Sequence, residues 1–126
     1  MKIGYARVST AEQNLDLQLD ALKAAGCQRI YEEHASGKKA ERTELVNCLK
    51  ALRAGDVLVV WRLDRLGRNL ADLVRIVGEL ESGKVGLESI MEKIETVSST
   101  GRLIFHVFAV LAWIFVSSNR TSILAR

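Results

Sequence analysis

The sequence has few of the side chains that hold metal ions or form disulfides. Its 126 residues include two cysteines and two histidines. Cys27 and Cys48 are far apart and form no Cys-x-x-Cys pair, and neither His34 nor His106 has the spacing of a metal ligand. These absences disfavour a zinc site and a redox motif. We expect two reduced thiols, and we expect His106 to be a buried helix residue.

The motifs of common nucleotide and hydrolase sites are also missing. No G-x-G-x-x-G follows the first strand-like segment, the Ser-Gly-Lys run at 36–38 lacks the upstream glycine of a phosphate loop, and no G-x-S-x-G marks a nucleophile elbow. The chain opens without an apolar signal segment. Its longest apolar run, Leu103 to Val116, is shorter than the roughly 20 residues of a membrane span. We therefore expect a cytoplasmic protein without a membrane anchor.

The composition is that of one folded domain. Hydrophobic residues make up 48% and charged residues 26% of the chain, which excludes a disordered composition. The net charge of +3 is compatible with nucleic-acid binding but does not by itself indicate it.

Hydrophobic periodicity predicts that strands and helices alternate. Short, nearly continuous apolar runs are typical of strands buried on both faces of a parallel sheet, and leucines at helical spacing follow them. The sequence therefore predicts an α/β fold with a mostly parallel sheet flanked by helices. The predicted elements are strand Ile3–Val8, a helix opening at Thr10 and ending at Gly26, strand Arg29–Tyr31, an exposed polar loop Glu32–Ala40, helix Arg42–Arg53, strand Asp56–Trp61, a helix containing Leu70 to Leu80, and strand Val85–Ile90.

Polar clusters follow two of the predicted strands. In the first strand Tyr5, Arg7 and Ser9 share one side, and the arginine-rich segment Arg62–Arg68 follows the third strand. The carboxyl ends of parallel strands meet at one edge of a sheet, so the two clusters should converge there. A serine beside planar guanidinium groups suits attack on a phosphodiester, because fixed cations spread the developing negative charge.

The arginine-rich segment has internal spacing that fits one phosphate. Arg65 and Arg68 would share one face of a helical turn, and Asp64 lies four residues before Arg68 and could orient it. On these residues alone, plainer interpretations stay open. Ser9 and Arg7 also fit a polar residue before a helix cap and a surface charge, and the arginine cluster also fits a solvated, salt-bridged loop.

The last predicted helix has almost no polar positions. Ser98, Ser99 and Thr100 offer caps for a helix starting near Arg102, and the fourteen positions after Arg102 are apolar except His106. A helix that is apolar all round must be buried, and a partner subunit can cover it. The pattern therefore predicts a dimer.

Taken in order, these motifs resemble the serine site-specific recombinases, specifically the small DNA invertases and transposon resolvases. The resemblance covers most of the chain. Its segments are Gly4–Thr10, Gln13–Gln18, Ala35–Gly37, Gly55–Asp56, Leu63–Arg68, Thr100–Leu103, Phe105–Val107 and Leu111–Ala112.

The resemblance implies a resolvase-like catalytic domain over residues 1–100. Ser9 would attack DNA to give a 5′-phosphoserine link and a free 3′-hydroxyl, followed by strand exchange through subunit rotation and by religation. No metal or cofactor is implied, and the partners would be DNA, a second copy in a homodimer, and a tetramer in the synaptic complex, associated with the bacterial nucleoid. The matching positions are the phosphate-binding Arg7, Arg65 and Arg68, the active-site acid Asp64, Arg42 after the mobile loop, the supporting Tyr5 and Gln18, and the dimer-interface residues Leu103, Phe105, Val107, Val110 and Leu111.

The chain departs from the family after Leu111–Ala112. Relatives continue with a glutamate- and arginine-rich helix and then a helix-turn-helix domain, whereas residues 113–126 contain no acidic residue. We therefore expect residues 101–126 to be a truncated or divergent long dimerisation helix, without the helix-turn-helix domain that reads DNA sequence. Two alternatives to a recombinase stay open. One is a non-catalytic protein that pairs with full-length recombinases, and the other is a nonspecific basic DNA-binding remnant.

Overall fold

The computed structural model describes residues 1–9, 15–35, 42–107, 110, 111 and 114, with backbone alone at 9 and 35. Strands and helices alternate through most of this part of the chain. The elements are β1 (Lys2–Ser9), α1 (Leu15–Ala24), β2 (Arg29–Ala35), α2 (Thr43–Ala51), β3 (Val57–Val60), a 3₁₀ turn (Leu63–Arg65), α3 (Leu70–Ser82), β4 (Gly86–Ser89), β5 (Ile94–Glu95) and α4 (residues 99–107).

The five strands form one sheet in the order β2-β1-β3-β4-β5. β1 pairs in parallel with β2 and with β3, β3 pairs in parallel with β4, and only the short β5 runs antiparallel to its neighbour. The predicted α/β class and the mostly parallel sheet are therefore confirmed. β1 lies between β2 and β3, so its carboxyl end is flanked by the ends of these two strands, at the edge where both polar clusters were expected.

Side chains of β1 alternate between two hydrophobic layers. Ile3 and Tyr5 belong to the larger core cluster, which also contains residues of α2 and α3. Ala6 faces the other way and packs with Leu22 of α1. This period-two alternation is what a strand covered by helices on both faces requires. The helical periodicity is confirmed in α3, whose buried residues are Leu73, Ile76, Val77 and Leu80.

The prediction of an exposed polar loop at Glu32–Ala40 was wrong for its first residues. β2 does not end at Tyr31 but continues to Ala35, in seven parallel register pairs with β1 that include Arg7 with Glu33. Charged residues suggested a loop, yet Glu33 is buried because backbone and side-chain donors surround its carboxylate. The rest of that loop, together with the predicted capping box at Thr10–Gln13, lies outside the described residues.

α4 begins at residue 99, three positions before the predicted start. Ser98 is its cap, since the Ser98 hydroxyl accepts a hydrogen bond from the Gly101 N–H at 2.9 Å. The Glu95 carboxylate in turn accepts from the backbone N–H groups of Val97 and Ser98. A side chain at Gly101 would collide with the backbone carbonyl of Glu95, so only glycine lets the helix start this close to β5.

Two residues of α4 differ from their predicted environments. Phe105, predicted at the dimer interface, is 1% exposed and belongs to the core of this chain, because α4 packs its side chain onto the larger cluster. His106, expected to be buried, is instead exposed, and its Nε2 contacts the Glu81 carboxylate of α3. The other interface candidates, Leu103, Val107, Val110 and Leu111, are exposed. Residues 115–126, the C-terminal part of the predicted divergent helix at 101–126, lie outside the described part.

Both cysteines are free in the structure, and they differ in depth. Cys48 of α2 lies fully buried in the larger core cluster, and burial raises its pKa to about 12. Cys27 is half-buried, and burial raises its pKa to about 11. Among the described residues, no helix has both the length and the apolar character to cross a membrane.

Candidate active site at the carboxyl edge of the sheet

Arg7, near the end of β1, contacts the turn that follows β3. Ser9 is the last residue of β1, and the 3₁₀ turn follows β3 after Trp61 and Arg62. The Arg7 guanidinium donates a hydrogen bond at 2.6 Å to the backbone carbonyl of Asp64 in that turn. The two polar clusters predicted from the sequence therefore meet at one edge of the sheet.

Asp64 also contacts two arginines through its carboxylate. Its Oδ1 lies 3.3 Å from Nε of Arg62 and 3.8 Å from Nε of Arg65. The sequence also predicted that Asp64 could orient Arg68. Arg68 lies in a bend beyond the 3₁₀ turn, so it does not share a helical face with Arg65, and its backbone N–H donates to Asp72 at 3.0 Å.

Arg42 reaches the same edge from the residue before α2. Its Nη1 lies 2.7 Å from the Asp72 carboxylate, and its Nη2 donates to the backbone carbonyl of Leu66. Its side chain is only 9% exposed. A buried guanidinium needs this kind of charged and hydrogen-bonded partnership, because an unpaired charge away from water is costly. Arg42 thus ties α2 to the loop between β3 and α3.

Asp72 organises that loop as well as holding Arg42. It lies in the first turn of α3, where the Asn69 side chain caps the helix by accepting from the Asp72 N–H at 2.8 Å. Partial burial of Asp72 would raise its pKa, but hydrogen bonds from the Arg68 backbone and the Arg75 side chain and the charge of Arg42 outweigh it, so the pKa is lowered. Asp72 is therefore held as the anion. Asp72 was not predicted as a site residue, although it lies three residues after Asn69, which is a recognisable capping pattern.

The loop can approach α3 only because position 67 has no side chain. A β-carbon at Gly67 would lie 2.7 Å from Cβ and 2.8 Å from Cα of Leu73. These distances are too short for non-bonded carbon atoms, so the loop would have to move. Gly67 therefore fixes the position of Arg68, the next residue, relative to Asp72.

Two arginines of this edge act electrostatically on a third, Arg7. The pKa of Arg7 lies below its ordinary value, first because Arg7 is partly buried and then because Arg42 and Arg65 are positively charged, while Tyr5 and Asp64 act in the opposite direction. Like charges gathered in a partly desolvated place attract an anion, since an anion relieves their repulsion. The arrangement suits a phosphate group, which guanidinium forks match in shape and charge.

Tyr5 and Glu33 form a buried polar pair beneath the arginines. The Tyr5 hydroxyl donates to Glu33 Oε1 at 3.2 Å, and burial first, then the charge of Glu33, raises the Tyr5 pKa well above its ordinary value. Glu33 also accepts from the backbone N–H groups of Glu44 at 3.3 Å and Leu45 at 3.2 Å. Tyr5 therefore stays protonated, and Glu33 holds the N-terminal turn of α2, directly after Arg42. Glu33 was not predicted as a site residue, because its segment was predicted to be a loop.

Gln18 supports the same strand from the other side of the sheet. It is fully buried in α1, and its Nε2 donates to the backbone carbonyl of Arg7 at 3.2 Å. Its predicted supporting position is consistent with this contact.

Glu92 was also missed by the sequence analysis. Its carboxylate accepts from the backbone N–H of Leu63 at 3.1 Å and contacts the Ser89 hydroxyl, so it anchors the start of the 3₁₀ turn. No sequence motif marks it. Within the described part of the chain, no group of three or more His, Cys, Asp and Glu side chains is placed to hold a metal ion.

Comparison with known proteins shows the family of this chain. The sequence model of the family described as "Resolvase, N terminal domain" matches residues 2–123. The fold is that of known recombinase domains. The structure resembles the N-terminal catalytic domain of TP901-1 integrase, with a TM-score of 0.72, 29% identity, and coverage of 96% of this chain and 98% of that one. The chain belongs to the resolvase N-terminal domain family.

Curated relatives are similar over most of this chain. The DNA-invertase BinR of transposon Tn552 from Staphylococcus aureus is 53% identical over 114 residues, which are 89% of this chain and 59% of that protein. The serine recombinase gin of Escherichia phage Mu is 49% identical over 112 residues, 89% of this chain and 58% of that protein. This chain thus spans somewhat more than half the length of the curated relatives it matches.

Proposed function

We propose that this chain is the catalytic domain of a serine recombinase of the invertase and resolvase type, which cleaves and rejoins DNA through Ser9. The observation that carries the proposal is the convergence of Arg7, Arg42 and the 3₁₀ turn on the edge where β1 ends in Ser9. Family membership supports it, and similar proteins of this family are named DNA invertases and resolvases.

The proposed reaction is a transesterification at phosphorus. A bond forms between the Ser9 oxygen and the scissile phosphorus, and the bond from phosphorus to the 3′-oxygen breaks. The serine proton leaves, and the departing 3′-oxygen gains one, so the phosphodiester energy is kept in the covalent link and religation is the reverse step. Arg7, Arg65 and Arg68 would hold the non-bridging oxygens, and loss of one such donor typically costs 10²- to 10³-fold in rate.

The supporting residues have separate proposed roles. Arg42 would add a buried cation to the phosphate site, and Asp64 would set the positions of the arginines that touch it. Tyr5 and Gln18 would hold β1 through Glu33 and through the Arg7 carbonyl. No cofactor enters the proposed reaction. The proposed setting is the bacterial cytoplasm, at the nucleoid.

The partner chains also belong to the proposal. The exposed apolar side chains of Leu103, Val107, Val110 and Leu111 would pair with a second copy in a homodimer, and two dimers would form the synaptic tetramer on DNA. The same exposed residues support a second candidate function, in which the chain pairs with full-length recombinases without cleaving DNA. Mixing it with an intact relative and measuring that enzyme's recombination rate tests this: inhibition that persists in Ser9→Ala favours the second candidate.

The direct test of the first proposal is a covalent adduct. End-labelled nicked or half-site duplex DNA is incubated with the protein, and protein–DNA adducts are resolved on a denaturing gel. We expect an adduct with the parent chain and with Ser82→Ala, a matched change at the far end of α3, and none with Ser9→Ala. An adduct that survives Ser9→Ala, or no adduct from the folded parent on either DNA, contradicts the proposal.

A further inference from the structure

The indole ring of Trp61 makes cation–π contacts with two arginines, Arg62 and Arg65. Trp61 follows β3 directly and is 8% exposed. The guanidinium carbon of Arg62 lies 4.6 Å from its ring centroid, and that of Arg65 lies 5.7 Å away. Both distances fall within the roughly 6 Å over which a cation is attracted to an aromatic face, and tryptophan is the strongest of the aromatic partners. One side chain therefore contacts two neighbouring cations.

The Asp64 carboxylate lies near both arginines and reduces the repulsion between their charges. Two cations on one ring repel each other, but the Asp64 Oδ1 lies 3.3 Å from Nε of Arg62 and 3.8 Å from Nε of Arg65. The two arginines differ in depth, since the side chain of Arg62 is 38% exposed and that of Arg65 is 12% exposed. Because a cation–π contact strengthens as water is excluded, the ring should act mainly on Arg65.

Arg65 is also the arginine of the pair whose charge reaches the site. Its charge is one of the causes that lower the pKa of Arg7, after burial and Arg42. A long arginine side chain has considerable rotamer freedom, so a phosphate-binding arginine must be held by its neighbours if its charge is to be in place before the reaction.

We infer that Trp61 is a positioning residue, which holds the Arg65 guanidinium over its ring in the orientation that phosphate requires. The inference rests on the proposed function, because it assigns Trp61 to the same site. Trp61 itself touches no reacting atom. If its role were packing alone, replacing it would lower stability, and activity would fall only to the extent that the fold is lost.

The first test compares rates of adduct formation under single-turnover conditions. Trp61→Leu is expected to lower the rate constant about tenfold, equivalent to ~1.4 kcal/mol in the barrier, with little change in the dissociation constant for DNA. Trp61→Phe keeps an aromatic face and is expected to recover most of the loss. Tyr31→Leu, which removes the ring that carries Arg29 on β2, is the matched control and should react at the parent rate.

The rate of each variant is interpreted together with its free energy of unfolding, measured in urea. A rate loss in Trp61→Leu that Tyr31→Leu does not share at equal stability supports the inference. A parent-like rate in folded Trp61→Leu overturns it, and so does a Trp61→Phe variant that is folded but as slow as Trp61→Leu. If Trp61→Leu does not fold, the comparison of Trp61→Phe with the parent decides. A loss of about two- to threefold is expected from the weaker ring, and a parent-like rate in Trp61→Phe overturns the inference.

A second measurement does not depend on DNA cleavage. In NMR spectra of the side-chain Nε–H groups, the ring current of Trp61 should displace the Arg65 resonance, and Trp61→Leu should return it toward the position of an unstacked arginine. No displacement in the parent overturns the inference even if adducts form. A displacement in a protein that forms no adduct would leave the stacking established and refute the proposed function instead.

Discussion

Glu33 shows how one buried carboxylate serves two parts of the molecule. It accepts the Tyr5 hydroxyl and two N–H groups at the start of α2, where the helix dipole also favours a negative charge. Because Arg42 directly precedes this helix, the carboxylate connects the core of β1 with an arginine of the site.

Replacing Glu33 by glutamine should destabilise the protein by about 2 kcal/mol, since hydrogen bonds to a charged group contribute more than neutral ones. The measurement is the free energy of unfolding in urea. Glu32→Gln is the matched control, because Glu32 is an exposed neighbour on the same strand, and it should stay within about 0.5 kcal/mol of the parent. Equal stability of the two variants would contradict this account of Glu33.

The lowered pKa of Asp72 predicts how the stability of the protein depends on pH. Its folded pKa is lowered, so its contribution to stability is fully present above the unfolded pKa of about 3.9 and is lost as the pH falls through the folded value. Asp72→Asn should therefore be less stable than the parent by about 2 kcal/mol at pH 7, and the difference should shrink below about pH 4.

Unfolding curves at several pH values check this prediction. Asp20→Asn, an exposed aspartate on α1, is the control and should follow the parent at every pH. A difference between Asp72→Asn and the parent that persists unchanged into strong acid would show that the carboxylate charge is not the cause.

At the scale of elements, two glycines near and within α3 should respond in opposite ways. Gly67→Ala forces a β-carbon against the Leu73 backbone and should destabilise by about 2 kcal/mol. Gly78 lies inside α3, and a β-carbon there would meet no neighbouring element within 4 Å, so Gly78→Ala should stabilise by up to about 1 kcal/mol. Thermal unfolding of both variants tests the pair, and a shift of the same sign in both would refute the explanation.

The sequence predicted elements better than the contacts between them. The apolar run at Val57–Val60 and the helical spacing of α3 each come from local periodicity, so both were found. The hydrogen bond from Arg7 to Asp64 joins residues 57 positions apart and exists only because β1 and β3 are neighbours, which no local pattern states. Glu33 was missed for a related reason: a charged residue is expected to be exposed until its buried donors are known.

At the scale of the whole molecule, the described part of the chain has an exposed apolar surface on its last helical segment. Leu103, Val107, Val110 and Leu111 of the last helical segment are exposed, whereas Phe105 already packs within the chain. If this surface forms the proposed homodimer, the double variant Val107→Glu with Leu111→Glu should be monomeric, because the interface would have to bury unpaired charges.

Analytical ultracentrifugation measures the result directly. Val46→Glu places the same charge on an exposed apolar position of α2 and should leave the dimer intact. A monomeric parent, or a double variant that still dimerises like the parent, would contradict the proposed interface.

The buried thiol of Cys48 can be used to measure how often α2 opens. Its thiol is fully buried in α2 and its pKa is raised to about 12, so a thiol reagent can modify it only when the helix opens. The labelling rate of Cys48 therefore reports how often α2 detaches from the sheet. Arg42 directly precedes that helix, so we expect the same opening to disturb a cation of the candidate site. Cys27 is only half-buried and should be labelled faster in the same experiment.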